Sequence, residues 1–155
     1  MKGNEKIIAK LNDLLADELT AINQYMVHAE MCDNWNYEVL HKRDEKRAID
    51  EMKHAEKLIA RILFLEGRPI VSNLKKIHIG AEVEAQHKSD WDLEYGAINS
   101  YNDGIKLAVQ LDDNGSREIL EAILRDEEEH IDWLESQLDQ IKQMGIQNYL
   151  TEQLA

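Results

Sequence analysis

Cysteine, proline and basic residues are all scarce in this chain of 155 residues, and each shortage excludes a class of protein. The single cysteine, Cys32, rules out a disulfide framework within the chain and is typical of a reducing compartment. The sequence has no apolar run of about 18 residues and no apolar signal region after its first residues, which argues against a membrane protein. Only 18 basic residues stand against 31 acidic ones, and the net charge of −13 favours cations over nucleic acid as partners. We therefore expect a soluble, cytoplasmic protein that binds neither nucleic acid nor membrane.

One proline and seven glycines leave few positions at which helices must end. The charged fraction of 32% is high, as in long helices, whereas the hydrophobic fraction of 43% is ordinary for a globular domain. Apolar residues recur at helical spacing over four long stretches, which predicts an all-α protein with a single domain over residues 1–155. The predicted helices cover about residues 7–33, 37–65, 81–111 and 116–144, with Ser116 as the N-cap of the fourth and a short fifth helix at about 147–154.

Residues 66–81 separate the second and third predicted helices and lack helical periodicity. Sixteen residues span up to roughly 50 Å when extended, whereas a helix of about 28 residues is roughly 42 Å long. The segment can therefore cross the whole bundle, so that the second and third helices run parallel. This predicts a four-helix bundle with a long crossover, followed by a fifth helix too short to be stable unless it packs on its own subunit or on a neighbour.

Two Glu-x-x-His motifs lie on the second and fourth predicted helices, at Glu51–His54 and Glu127–His130. Residues i and i+3 share one face of a helix, so each motif can place a carboxylate and an imidazole on the same metal ion. The motif alone is a weak signal, because two further copies occur in the chain. What distinguishes these two copies is their separation of 76 residues, since the same shift places Glu18 on Glu94. The chain therefore consists of two related halves.

Six residues of this repeat lie on the apolar faces of four helices. A carboxylate on such a face costs several kcal/mol if it stays unpaired, so it must be neutral, paired or bound to metal. Solvated surface residues are the alternative interpretation of any one of them, but a repeated set is poorly explained in that way. Four carboxylates and two imidazoles suit two ions of iron or manganese, and zinc also accepts such ligands. The predicted catalytic and metal-binding residues are Glu18, Glu51, His54, Glu94, Glu127 and His130.

The whole chain resembles the bacterioferritins, which belong to the ferritin-like di-iron proteins. The segments that carry the resemblance are residues 17–25, 49–56, 62–67, 125–134 and 144–150. It implies a shell of 24 identical subunits, built from twofold dimers, that oxidises Fe(II) with O2 or H2O2 and stores Fe(III) mineral inside. In that family the glutamates of the two Glu-x-x-His motifs bridge two irons. Glu18 and His54 then complete one iron, and Glu94 and His130 complete the other. A partner that donates electrons for iron release is also implied.

Met52 follows Glu51 and therefore points about 100° away from it, off the bundle core. An outward methionine usually packs at an interface. The resemblance implies another role, since in bacterioferritins the matching methionine and its copy from the twofold-related subunit bind the iron of a haem-type porphyrin. Residues of the first helix that line such a pocket are Leu19, Ile22, Asn23 and Met26.

Two further positions keep more than one interpretation. Tyr25 lies two turns from Glu18 on the same helix face. It is either a core aromatic residue or, by the resemblance, a residue that supplies an electron to the di-iron site.

Some bacterioferritins carry a histidine beside an acid as an iron site on the inner surface. Here Lys46 replaces that histidine near Asp50, which places this accessory site in doubt.

Three other functions compete with iron storage. A ferritin-like di-iron peroxidase that acts without large-scale storage is the main alternative, although the Cys-x-x-Cys segment normal in rubrerythrin is absent. A mini-ferritin places its metals between subunits and usually lacks the fifth helix. A plain helical scaffold has no use for carboxylates on its inner faces.

Overall fold

Five helices and no strand make up the computed structural model, which describes residues 1–155. The predicted all-α fold with a long crossover and a short C-terminal helix is confirmed. No helix combines the length and the apolar character that a membrane span requires. The helices are α1 (Glu5–Asn34), α2 (Glu38–Phe64), α3 (Val83–Gln110), α4 (Asn114–Met144) and α5 (Ile146–Thr151).

The start of α4 differs from the predicted start at residue 116. Asp113 is the N-cap, and its side chain accepts hydrogen bonds from the backbone nitrogen and the hydroxyl of Ser116, at 3.0 and 2.7 Å. The Asp113 carboxylate also accepts a hydrogen bond from the guanidinium of Arg61 at 2.7 Å. The prediction of Ser116 as N-cap was therefore wrong, because Asp113 satisfies the free backbone donor and Ser116 already lies in the first turn.

The crossover between α2 and α3 follows α1 along most of its length. Its backbone nitrogens donate to polar side chains that recur on one face of α1. These bonds join Ile70 to Asn12 (2.8 Å), Lys75 to Thr20 (2.8 Å), His78 to Gln24 (3.1 Å) and Gly80 to His28 (3.0 Å). The segment therefore runs from one end of the bundle to the other with these backbone donors satisfied.

Contacts at the helix ends fix the helix directions. The nitrogen of Gly3, just before α1, donates to the carbonyl of Leu65 just after α2, at 2.9 Å. Lys10 in early α1 donates to Ser100 in late α3, also at 2.9 Å. Both α2 and α3 are therefore antiparallel to α1 and parallel to each other, as the length of the crossover predicts.

The fifth helix packs on its own subunit. Tyr149 is fully buried, and its hydroxyl donates to Gln137 at 2.7 Å and lies 3.0 Å from Nε2 of His87. The Tyr149 side chain belongs to a small apolar cluster that also includes Cys32 and Leu40. The larger core cluster lies at the other end of the bundle, around Leu14, Leu58 and Ile123 among others. Between the two clusters lies a polar layer in the middle of the bundle.

Candidate metal centre

The polar layer contains all six residues that the repeat selects, and every one is buried. They form two overlapping groups, in each of which one potential ligand atom per residue lies within 4.8 Å of the others. The first group is Glu18, Glu51, His54 and Glu127, and the second is Glu51, Glu94, Glu127 and His130. The two glutamates of the Glu-x-x-His motifs belong to both groups, so their carboxylates lie between two potential metal positions.

His54 is the centre of the first group. Its Nδ1 lies 2.9 Å from Glu127 Oε1, 3.4 Å from Glu51 Oε2 and 3.6 Å from Glu18 Oε2. Its Nε2 lies 2.9 Å from a carboxylate oxygen of Asp126. A carboxylate on the far nitrogen fixes the ring and increases its basicity, which is the usual support for a metal-binding histidine. The sequence interpretation did not assign this role to Asp126, although it directly precedes the second motif.

His130 is more loosely placed in the second group. Its Nδ1 lies 3.8 Å from Glu51 Oε1 and 3.9 Å from Glu127 Oε2, and its ring centre is 6.3 Å from that of His54. The residue that matches Asp126 in the repeat is Asp50, but Asp50 pairs with Lys46 at 2.7 Å. His130 therefore has no carboxylate support like that of His54, and the repeat is not symmetric here.

Two tyrosines extend the repeat across the centre. Tyr25 donates to Glu94 Oε1 at 2.7 Å, and Tyr101, 76 residues later, donates to Glu18 Oε1. Each half of the chain thus supplies the hydroxyl that bonds the outer carboxylate of the other half. Tyr101 was not singled out as a site residue, although its match with Tyr25 in the repeat was the signal.

Arg47 is the one site residue of opposite charge, and the sequence interpretation treated it only as a cation near Lys46. Its Nη2 lies 2.6 Å from Glu51, 2.7 Å from Glu94 and 3.4 Å from Glu127, and its Nη1 contacts Nε2 of His130. The side chain is buried, and its guanidinium lies 5.5 Å from the ring centre of Tyr25. Arg47 precedes Glu51 by one helical turn, and this spacing was the available signal.

Burial controls the electrostatics of the cluster. It raises the pKa of Glu18, of Glu94 and of Glu127, and the neighbouring Glu51 carboxylate adds to each increase. Burial alone would also raise the pKa of Glu51, but Arg47 reverses the shift and lowers that pKa to about 2. Burial lowers the pKa of His54, but the surrounding carboxylates reverse this shift and raise that pKa above its usual value. Four ionised acids would still exceed the charge of Arg47 and a protonated His54, so the ionised cluster favours divalent cations.

The donor atoms also fit two metal ions. Each of the six residues keeps one buried oxygen or nitrogen without a well-aligned hydrogen bond in the protein, although Glu51 Oε1 lies 2.6 Å from Arg47 and His54 Nδ1 lies 2.9 Å from Glu127 Oε1. Buried polar atoms are rarely left in this state unless they have a ligand. The atoms are Glu18 Oε2, Glu51 Oε1, His54 Nδ1, Glu94 Oε2, Glu127 Oε1 and His130 Nδ1.

Two polar cavities open to the centre from opposite pairs of helices. One, of about 520 Å³, lies between α1, α3 and the crossover, and all four glutamates line it. The other, of about 280 Å³, lies between α2 and α4 and has no hydrophobic lining residue. His54, His130 and Arg47 line this second cavity together with the Lys46–Asp50 pair. The ligand residues thus line cavities on both sides of the bundle.

Met52 lies outside the centre. It is 45% exposed on α2, and Met26 of α1 is 50% exposed. Leu19, Ile22 and Asn23 are half-buried on α1. The side chain of Met52 therefore points off the bundle core, as its position after Glu51 predicts.

A four-helix bundle in which two helices give a glutamate and two give Glu-x-x-His defines the ferritin-like class of dinuclear carboxylate proteins. A family model described as a ferritin-like domain matches residues 8–144. The chain is 40% identical to a bacterioferritin of Brucella melitensis over 149 residues, which cover 96% of this chain and 92% of that protein. It is 39% identical to a bacterioferritin of Mycobacterium tuberculosis, over 96% of this chain and 94% of the relative. It is also 40% identical to a bacterial ferritin of Synechocystis over the full length of both. The chain therefore belongs to the bacterioferritins within the ferritin-like family.

Proposed function

We propose that this protein stores and detoxifies iron by oxidising Fe(II) at the six-residue centre and keeping the Fe(III) mineral inside a shell of 24 identical subunits. The observation that carries the proposal is the pair of overlapping, buried ligand groups that share Glu51 and Glu127. A single ion needs only one such group, so the second group supports a reaction that uses two Fe(II) together.

The two shared carboxylates are suited to bridge the substrate ions. Glu18 and His54 hold one Fe(II), and Glu94 and His130 hold the other. Together the two ions give up two electrons, which, with two protons, reduce O2 to H2O2 or H2O2 to two molecules of water. The protein holds both ions at one oxidant and keeps the ligand carboxylates ionised, since a bound cation overcomes the rise in pKa that burial causes.

Iron storage and simple peroxidase activity predict particles of different size and iron content. Purified protein given Fe(II) and then O2 or H2O2 should elute as a shell of about 24 subunits and hold far more iron than the two ions per subunit of the centre. Size-exclusion chromatography with iron analysis of the protein peak makes the measurement. A dimer that retains two irons per subunit and no more would instead support a di-iron peroxidase.

The exposed thioether of Met52 supports a second part of the proposal. We propose that Met52 and its copy from the twofold-related subunit bind the iron of a haem or related porphyrin at the dimer interface. The bound porphyrin would supply one-electron transfer, and a neutral thioether ligand raises its reduction potential. This role is compatible with an external electron donor that releases stored iron. The cytoplasmic location stays a prediction from the sequence.

The crossed tyrosines allow the two interpretations of Tyr25 to be separated. We propose that Tyr25 supplies an electron during oxidation, because it contacts Glu94 and lies against Arg47. Rapid freezing after addition of oxidant should then give a tyrosyl radical in the electron paramagnetic resonance spectrum of the wild type and of Tyr101→Phe, and none in Tyr25→Phe. Tyr101→Phe is the matched control, since it removes the equivalent hydroxyl from Glu18. Equal spectra for the two variants would assign Tyr25 a packing role.

A further inference from the structure

Two of the four ligand residues that contact the Arg47 guanidinium, Glu94 and His130, distinguish the second ligand group, and the other two, Glu51 and Glu127, belong to both groups. Glu18 and His54, which distinguish the first group, pair instead with other residues of the centre and not with Arg47. The guanidinium therefore lies on the side of the centre that Glu94 and His130 form.

The guanidinium of Arg47 gives the two ligand groups of the centre different net charges. The position that matches Arg47 in the repeat is Ile123, which is fully buried in the apolar core. The guanidinium therefore has no counterpart in the other half. With Arg47 in place, one divalent ion in the first group brings the positive charge to three against four carboxylates, and a second ion would exceed the negative charge.

A neighbouring cavity offers the Arg47 guanidinium a second position away from the ligand residues. Arg47 lines the 280 Å³ cavity between α2 and α4, where Asp50, Asp126 and Glu129 are further lining residues. If the long side chain of Arg47 rotated toward that cavity, its guanidinium would leave the second ligand group. Its positive charge would still lie near carboxylates. Asp50 and Asp126 are more exposed than the glutamates of the centre, so this cavity is the wetter environment.

We propose that Arg47 is a built-in cation that holds the second metal position of the metal-free centre, so that the two positions fill in a fixed order. The first ion binds at Glu18 and His54. The second binds at Glu94 and His130 only when the guanidinium moves into the cavity between α2 and α4. This inference rests on the proposed function, since it assumes that both groups bind metal.

Calorimetric titration of the metal-free protein with Zn²⁺, which is redox-inert and accepts the same ligands, tests the order. The wild type should bind two ions per subunit in separate steps. Arg47→Gln should tighten the second step by about tenfold or more, because a nearby positive charge is removed, and should change the first step less. Arg117→Gln is the control, since Arg117 is 42% exposed on α4 and lines neither cavity of the centre, and it should leave both steps nearly unchanged. The variants Glu18→Gln and His130→Ala assign the first and second steps.

A second measurement uses the wild type alone, so it does not depend on whether Arg47→Gln folds. Arginine modification by phenylglyoxal, followed by peptide mass spectrometry, reports the exposure of each arginine. Arg47 should be protected without Zn²⁺ and with one equivalent, because its side chain is only 5% exposed, and should react after the second equivalent. Arg117, which is 42% exposed on α4, should react throughout.

The outcomes separate this inference from the proposed function. Two Zn²⁺ steps that Arg47→Gln leaves unchanged or weakens, or labelling of Arg47 that does not depend on Zn²⁺, would overturn the inference and leave the metal centre intact. Failure of Zn²⁺ to bind at either group in every variant would overturn the proposed function itself.

Discussion

Glu18→Gln is expected to reduce the initial rate of Fe(II) oxidation by about a hundredfold or more, since even the loss of a residue that only supports a metal ligand costs up to that factor. The substitution removes the carboxylate that distinguishes the first ligand group and keeps nearly the same shape. The amide oxygen can still accept the hydrogen bond from Tyr101. Stopped-flow absorbance of Fe(III) formation under excess oxidant gives the rate.

The same substitution should not destabilise the metal-free protein. Burial, followed by the charge of Glu51, raises the pKa of Glu18, which means that the folded state disfavours its ionised form. At neutral pH a neutral amide removes this cost, so the unfolding temperature without metal should stay equal or rise. Added Zn²⁺ should then stabilise the variant less than the wild type, because a ligand stabilises the folded state according to how tightly it binds.

Glu38→Gln is the control, because Glu38 begins another Glu-x-x-His motif but is exposed and pairs only with Lys42. It should oxidise Fe(II) at the wild-type rate. Wild-type rates in both variants would show that oxidation occurs elsewhere in the molecule. Loss of rate together with a lower unfolding temperature would point to damage of the fold and would argue against a specific role of Glu18.

The six residues of the centre could be selected from the sequence because two simple regularities apply to them. Helical spacing joins Glu51 to His54, and the 76-residue repeat carries this pair and Glu18 into the second half. Neither regularity requires knowledge of side-chain conformation. The structure then brings all six together, as expected for residues on the inner faces of one bundle.

Arg47 could not be placed in the same way. It lies on the same face of α2 as Glu51, but a long basic side chain on a buried face usually extends its charge to the solvent. Whether it turns inward depends on partners from α3 and α4, here Glu94 and Glu127, which are distant in sequence. The repeat gave no help either, because Ile123 occupies the matching position.

The crossover likewise has one feature that could be predicted from the sequence and others that could not. Its length predicted the direction of α3, because chain reach is a matter of residue number. The bonds that hold it were not predicted, although Thr20, Gln24 and His28 recur every four residues and are all buried on α1. Buried polar residues at helical spacing need partners, and here the crossover backbone provides them.

Met52→Leu is expected to abolish haem binding while Fe(II) oxidation continues at the wild-type rate. Leucine has a similar volume but no sulfur to bind the iron, and the side chain is 45% exposed and off the bundle core. Metal-free protein titrated with haem should give a Soret band that saturates near one haem per two subunits in the wild type, and no such band in the variant.

Met144→Leu is the matched control for this substitution, because Met144 is 40% exposed at the end of α4 and lies in no proposed site. It should bind haem as the wild type does. A Met52→Leu protein that keeps the wild-type spectrum would refute the ligand role and leave Met52 as an interface residue. Loss of the Soret band together with loss of Fe(II) oxidation would mean that the two sites depend on each other. Their placement argues against such dependence, since Glu51 points into the bundle and its neighbour Met52 points out of it.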